Sequence, residues 1–469
     1  MDARQRWTLI LTSVASLMVS LDTLVVTTAL NTIRVHLGAS IADLDWTVNA
    51  YTLTVAVLLL AGAAAGDRLG RRRVLAAGLT VFTVSSACCA LAPSIGVLIA
   101  ARAVQGAGTA MVLPQALALL AAAFGPEQRG KAMGVFAGVT GLAVLGGPVI
   151  GGAIVQGLAW QWIFWLNVPI GIVMVPVTLR KVAEGFGPRA PLDVTGLALS
   201  GGGALGLVWG LVRGNAAGWS SPQVYGPLLA GAALLALFIG WERRSRSPMV
   251  PVSLFRTAAF GSANGVGFLL TAAMFGAAFF VAEYLQAGLG EGPLAAGLRM
   301  LPWTATLFLV APLAGRLVNR LGERTIVLAG LLAQAAGFGW MALAAGSGYP
   351  ALVPAMVLGG AGVSAAMPAA QTAVVGAVRP QAIGTASGVY NAMRQLGGTF
   401  GIAIASAVFT ARGGFASPEA VSSGFRAAMM AATALSVAGV LAGIWLPGKR
   451  REPPLTVSQP EPEPAAADR

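Results

Sequence analysis

Two charged residues stand where water should be absent. Asp22 lies inside an apolar run from Trp7 to about Leu30, and Arg102 inside another that ends near Leu120. A charge at such depth is costly unless it is paired or wetted, and such residues mark proton relays and transport paths. A neighbouring positive charge and burial act in opposite senses on a carboxyl's proton, so a movement that alters either can load or release it. Asp22 and Arg102 are therefore the candidates for proton coupling. Arg102, Gln105, Gly106 and Thr109 share one helical face. Asp22 shares its face with Ala15, Met18, Val26 and Ala29, apart from the polar stripe Ser16, Ser20, Thr23, Thr27 and Asn31. The pattern leaves open whether Asp22 lines a cavity or meets a neighbouring helix. Glu283, near the end of a later apolar run, suits a cation site, a second proton site or an acid touching interfacial water. Catalytic constellations are not visible. His36 is the sole histidine, Cys88 and Cys89 are adjacent inside an apolar block, and no metal spacing exists. Neither enzymatic chemistry nor a cofactor is expected.

The elements that hold these residues follow from composition. The 469 residues are 56% hydrophobic and only 10% charged, with a mean hydropathy of +0.77. So few charges cannot cover a water-facing surface. The apolar residues fall in blocks of about 20, the length that crosses a hydrocarbon core. Helices are the expected spanning element, because every backbone group must be satisfied in lipid. Fourteen spans are placed at 7–30, 46–66, 74–93, 96–120, 132–155, 162–179, 193–213, 225–241, 260–284, 298–315, 325–345, 350–375, 384–410 and 425–446. The polar tail at 447–469 is expected to be disordered. Of the 30 Lys and Arg, Arg34, Arg213, Arg299, Arg412 and Arg426 fall on one side, and Arg102 and Arg394 fall within spans. All the others, including Arg189, Arg246 and the tail cluster Lys449, Arg450 and Arg451, fall on the side of the termini. That asymmetry puts both termini in the cytoplasm. The basic loops suit topology and anionic lipids rather than nucleic acid.

An internal repeat divides the chain. Asp67-Arg68-Leu69-Gly70 matches Asn319-Arg320-Leu321-Gly322, and Gly78 matches Gly330, at an offset of 252 residues. Gly134, Gly138, Gly147 and Gly151 match Gly384, Gly388, Gly397 and Gly401 at an offset of 250. Both matches shift by eight spans, where two six-span bundles would need six. The extra pair must lie between the bundles. The expected division is a six-helix bundle at 1–180, an inserted pair and linker at 181–257, a second bundle at 258–446, and the tail. Repeats of this kind mark secondary transporters with a substrate site between the halves.

The loop Gly66-Asp67-Arg68-Leu69-Gly70-Arg71-Arg72-Arg73 closes a tight turn, with Gly70 free to adopt a conformation other residues resist. Here the chain resembles the major facilitator superfamily, and in particular its fourteen-span drug:proton antiporters. The resemblance implies that Asp67 and Arg68, with Gly70, Arg71 and Arg72, lock one conformation and govern the switch. Ala63 departs from the family's usual glycine, and Asn319 replaces the acid in the second copy. Arg102, Gln105 and Gly106 resemble the family's fourth-span motif, which implies a role for Arg102 in proton transfer. Gly147-Pro148 with Gly151-Gly152 resembles the antiporter motif, which implies export. Leu21-Asp22-Thr23 is similar to the acidic first-span motif, although Asn31 stands where a proline is usual. The stretch Trp160 to Gly171, with Asn167, and the stretch Ser387 to Gly398, with Asn391, Arg394 and Gln395, are similar to the fourteen-span branch. Asn391, Arg394 and Gln395 join Glu283 as candidates for a cavity or second proton site.

The expected fold is an all-α polytopic membrane protein with two six-helix bundles and two inserted helices. The expected function is proton-driven export of small amphipathic molecules or antibiotics. The partners are substrate, protons and lipids, and the chain acts as a monomer. The bias of 27 Arg to 3 Lys suits a GC-rich bacterium, hence a bacterial cytoplasmic membrane. The alternative within transporters is an importer or facilitator of a metabolite. Alkaline phosphatase fused after Leu446 is expected to be inactive, and fused near Gly218 to be active. Activity at the C-terminal fusion would require an odd number of spans.

Overall fold

The computed structural model describes residues 1–187, 193–245, 248–379 and 382–448. Arg189, Arg246 and the tail from 449 onward lie outside the described residues. Fourteen long helices account for the architecture. In chain order they are α1 Ala3–Leu37, α2 Ile41–Leu69, α3 Arg71–Ala90, α4 Ile95–Ala123, α5 Pro126–Gly157, α6 Trp162–Lys181 and α7 Val194–Ala217. The second seven are α8 Pro222–Arg244, α9 Ala258–Gly288, α10 Pro293–Val318, α11 Glu323–Leu343, α12 Tyr349–Gly376, α13 Ile383–Arg412 and α14 Pro418–Gly443. Thirteen of them are long and apolar enough to cross a membrane. The other, α13, is 30 residues long and carries Asn391, Arg394 and Gln395 in its course. Among the described residues there is no strand.

Local chemistry sets the helix ends. Asp2 with Gln5 and Ser40 with Asp43 form reciprocal capping boxes at α1 and α2. Ser221-Pro222 and Ser417-Pro418 start α8 and α14 with a side-chain cap followed by proline. Several helix ends run past the expected spans, two of them at the contact between the halves. α1 continues to Leu37, where Gly38 turns left-handed at φ 62°, and α10 starts at Pro293. Hydropathy misses these turns because they lie beyond the apolar stretch, and they join the halves.

The two six-helix sets pack alike. Helix α1 lies on α5 and α4, α2 on α4, and α3 on α4 and α6. The same contacts recur eight helices later, with α9 on α13 and α12, α10 on α12, and α11 on α12 and α14. The glycine repeat supplies the close approaches. Gly78 faces the Gly108 carbonyl, and Gly330 faces that of Gly362. Gly151 faces Val25 on α1, and Gly401 faces Ala272 on α9. A Cβ at any of these four would collide with backbone. Gly70 and Gly322, at φ 106° and 85°, make matching turns between α2 and α3 and between α10 and α11.

The inserted helices pack on each other, and α7 also lies against α2 and α13. Trp46 and Trp209 meet as tilted rings at 5.4 Å across that contact, and Asn215 Nδ2 donates to Thr410 Oγ1 at 2.6 Å. Helix α8 lies outside α7 and leaves Leu229, Leu237 and Ile239 exposed.

The halves meet along two seams. In one, the first turns of α10 press on the end of α5. Gly152 touches the Pro293 carbonyl, Gly297 touches that of Pro148, and Leu294 N donates to Gln156 Oε1 at 3.2 Å. Toward the other end this seam opens, and Gly134, Gly138 and Gly315 face empty space. In the other seam α13 follows α2, from Ser406 on Asp45, through Thr399 on Thr52 at 2.9 Å, to Gly388 against Leu60. The halves are thus joined at the end bearing Leu37, Gly157 and Pro293 and parted beside the termini. The largest apolar cluster confirms this, uniting Val25, Ala29 and Leu44 with Phe280, Tyr284 and Phe409.

Gly152→Leu has no room against Pro293 and Leu294. It is expected to part the α5–α10 seam and stop transport while the protein still inserts. Cysteines at Gln156 and Leu294 should cross-link in the parent and lose cross-linking in this variant; unchanged cross-linking would mean the seam tolerates the bulk.

Candidate functional site

Asp22 points toward α4, not into the space between the halves. Its Oδ2 accepts Arg102 Nη1 at 2.5 Å, and both residues are buried. The other carboxylate oxygen accepts two amides, Gln105 Nε2 and Asn167 Nδ2, each at 2.9 Å. Gln105 and Asn167 also donate to Ser86 Oγ, at 2.7 and 3.2 Å. Arg102 spends its remaining contacts nearby. Nη1 donates to Gln105 Oε1 at 2.6 Å, Nε donates to the Thr47 carbonyl at 3.3 Å, and the guanidinium lies 4.2 Å over the Tyr51 ring. The Tyr51 hydroxyl shares a hydrogen bond with Thr109 at 2.9 Å. One carboxylate therefore ties α1 to α3, α4 and α6 inside the first half.

Burial explains why the network is so extensive, although Arg102 Nη2 has no hydrogen-bond partner. Each charge taken out of water costs several kcal/mol, recovered only if its partner and remaining hydrogen bonds are well placed. Asp22 has three donors, one of them cationic. The arrangement can change when the carboxyl takes a proton, because its attraction for Arg102 then falls away. Helix α1 would carry that change outward. Six residues past Asp22, the Thr28 carbonyl accepts Gln286 Nε2 of α9 at 3.1 Å, and Gly151 of α5 sits against Thr28 and Val25.

The other motif residues have distinct places. Gly147 and Gly151 face α1, at Leu24 and Val25, whereas Gly152 and the Pro148 carbonyl face α10 across the seam. Gly106 packs on the Tyr51 backbone of α2. In the α2–α3 loop, Arg71 holds Asp67 at 2.7 Å. Arg71 N donates to the Gly185 carbonyl at 2.8 Å, Gly187 N to that of Asp67 at 3.1 Å, and Arg72 N to Glu184 Oε1 at 2.9 Å. Arg68 is exposed. All these contacts stay within the first half. Glu283 is fully buried at the joined end, not at a wetted surface. Asn391, Arg394 and Gln395 are half-buried far from it. The Arg394 carbonyl accepts Thr271 Oγ1 at 2.9 Å, and Thr271 precedes Glu283 by twelve residues, about 18 Å along α9. The four candidates do not form one site.

Sequence reasoning gave no role to Asn167, Ser86, Glu184, Asp45 or Gln286. Asn167 and Asp45 did carry a signal, being polar residues inside or beside apolar runs. Glu184 carried less, since it lies in a polar loop and finds its role only by reaching the start of α3, where an anion suits the helix dipole.

The chain matches the family model described as Major Facilitator Superfamily over residues 12–241 and 263–468. It is 32% identical over 415 residues to the tetracenomycin C resistance and export protein of Streptomyces glaucescens, covering 88% of this chain and 77% of that one. It is 34% identical over 414 residues to the multidrug resistance protein Stp of Mycobacterium tuberculosis, with the same coverage. Among solved structures, a POT family transporter in complex with a thioalcohol-conjugated peptide has the same fold. Its TM-score is 0.69 at 15% identity, over 93% of this chain and 94% of that one.

Arg102→Ala would strand a buried carboxylate, a loss of about 3–5 kcal/mol for pairs of this kind. Its thermal melt in detergent should fall well below that of Asp22→Asn with Arg102→Gln, which removes both charges and keeps amide donors. Equal losses would show that the pair carries no such coupling.

Proposed function

This chain belongs to the major facilitator superfamily, and from that premise we propose that it exports drug-like or antibiotic molecules from a bacterial cytoplasm by proton antiport. The observation that carries the coupling is the buried Asp22–Arg102 pair on the helix that also touches the opposite half. Several others support export. The basic residues gather beside the termini, which supports a cytoplasmic position for the parted end. In this conformation substrate would enter between α5 and α10 from inside the cell. The Gly147-Pro148 and Gly151-Gly152 face divides between α1 and α10, so it belongs to both the half and the seam. Relatives are named for resistance and export.

The proposed cycle starts from the state described. Asp22 is ionised and held by Arg102, the outer end is shut, and the inner end admits substrate. Opening to the outside exchanges substrate for a proton on Asp22. That proton weakens the hold of Arg102 and shifts α1 against Gly151 and Gln286. Return to the inward state restores the pair and releases the proton to the cytoplasm. The membrane potential adds about 2.3 kcal/mol per elementary charge per 100 mV to each inward proton. The Asp67–Arg71 pair and its strap at 184–187 would stiffen the cytoplasmic end of the first half while the halves rock.

The test is substrate-induced proton release in inverted vesicles, using a compound found by a survival screen in an efflux-deficient bacterium. Asp22→Asn should keep substrate binding and lose proton-linked accumulation, with downhill exchange retained. Arg102→Ala should lose more, since it also strands Asp22. Unchanged proton release in Asp22→Asn would remove that residue from the coupling path. Accumulation inside intact cells would favour the importer reading.

A further inference from the structure

A second pair of acids is shut into the joined end, and its members come from opposite halves. Asp45, in the second turn of α2, is fully buried. One of its carboxyl oxygens accepts the Ser406 hydroxyl of α13, and the other has no hydrogen-bond partner. Glu283, on α9, is as deeply buried, and neither of its oxygens has a partner. The next residues, Tyr284–Gly288, wind as a π-helix, and from this turn Gln286 reaches the Thr28 carbonyl. The same stretch of α13 lies against both, with Ser406 on Asp45 and Phe409 stacked at 4.6 Å on Phe280, one turn before Glu283. Among the described residues neither takes part in an ion pair.

The cations around the pair form no ion pair with it. Arg34 of α1 is the cation that faces Glu283; its Nη2 donates to Asn31, its guanidinium lies 4.8 Å over Phe415, and its buried Nε has no hydrogen-bond partner. Arg102 of α4 holds Asp22. Arg213 of α7 lies over Trp209, and Arg426 of α14 donates to the carbonyls of Ala342 and Ala345. Arg412, at the end of α13, is exposed. The other titratable neighbours are also held, Asp43 in the Ser40 capping box and Tyr284 by the amide of Gly346. Two like charges with no ion-pair partner could not stay buried together at such a contact, since an unpaired buried ion costs several kcal/mol.

We propose that Asp45 and Glu283 form a proton-operated latch on the outer end of the transporter. Each carboxyl holds one proton while the halves meet. Opening the outer end wets both, and each releases its proton to the outside solution. Closing takes the two protons back from the same side. The latch therefore moves no net charge across the membrane and is distinct from the coupling at Asp22. It makes the choice of conformation depend on external pH, with acid favouring the inward-open state and alkali the outward-open one. This rests on the alternation between two openings proposed above, but not on Asp22 as the coupling acid.

The test is the distance between spin labels on the two halves at the outer end, in the full chain in lipid nanodiscs. Labels go on cysteines at exposed Leu158 and Ser347, with Cys88→Ser and Cys89→Ala. As pH rises, the long-distance population should grow, with the ratio of open to closed changing about tenfold per pH unit for each proton released. Asp45→Asn with Glu283→Gln should stay short at every pH, each single variant should halve the steepness, and Glu283→Asp should keep the response. No lengthening in the parent, or an unchanged response in the neutral variants, would overturn the latch. Asp22→Asn should keep the steepness of the response, even where its midpoint moves. If it alone loses the response, the latch is overturned and the pH sensitivity belongs to the coupling pair.

Discussion

The first half is organised around a charge pair that water cannot reach. The Asp22 carboxylate is bonded by Arg102, Gln105 and Asn167, and Ser86 anchors both amides from α3. The low polarity that makes a complete network strong makes a broken one costly. Because α1 also carries Thr28 to the contact with Gln286, one helix links this network to the place where the halves meet.

The two seams between the halves differ in chemistry, and the difference suits a rocking motion. At α5–α10, Gly152 and Gly297 bring backbone against backbone. Such a contact forms only at one separation, because packed surfaces are nearly incompressible. At α2–α13, side-chain hydroxyls meet polar groups along several turns, with Thr399 on Thr52 and Ser406 on Asp45. These contacts are shared by flexible groups and can be remade after a small slide. The α5–α10 seam is thus suited to closing or opening outright, and the α2–α13 seam to keeping the halves in register. Inside each half, the glycine contacts of α3 with α4 and of α11 with α12 hold the helices too close to shear easily, which favours movement of whole bundles.

The inserted helices follow the same division. Helix α7 covers the α2–α13 seam on its lipid side, through Trp209 on Trp46 and Asn215 on Thr410. It touches both halves at the seam that slides rather than the one that opens. Helix α8 touches α7 and otherwise faces outward. At the parted end the strap after α6 ties down the first half alone, with Glu184 accepting the Arg72 amide at the start of α3.

Much of the architecture was legible because the membrane forces it into the sequence. Spanning helices must be long and apolar, so span number could be read from the sequence, while the arginine-rich loops carry only the expectation of sidedness. The repeat was legible because a close approach of helices requires glycine at fixed places, as at Gly151 and Gly401. Helix ends were less so, since α1 to Leu37 and α10 from Pro293 run beyond the hydrocarbon, where hydropathy says nothing. The partner of Asp22 was not legible. The pattern along one helix fixes which residues share a face but not which neighbour that face meets, and Asp22 could have lined the cavity equally well. Asp45 and Glu283 stand 238 positions apart on different halves, and nothing in either segment refers to the other. Only the packing of α2, α9 and α13 at the joined end brings two uncompensated acids together, because helix rotation and the meeting of the halves are set by the sum of all contacts and by no local run of residues.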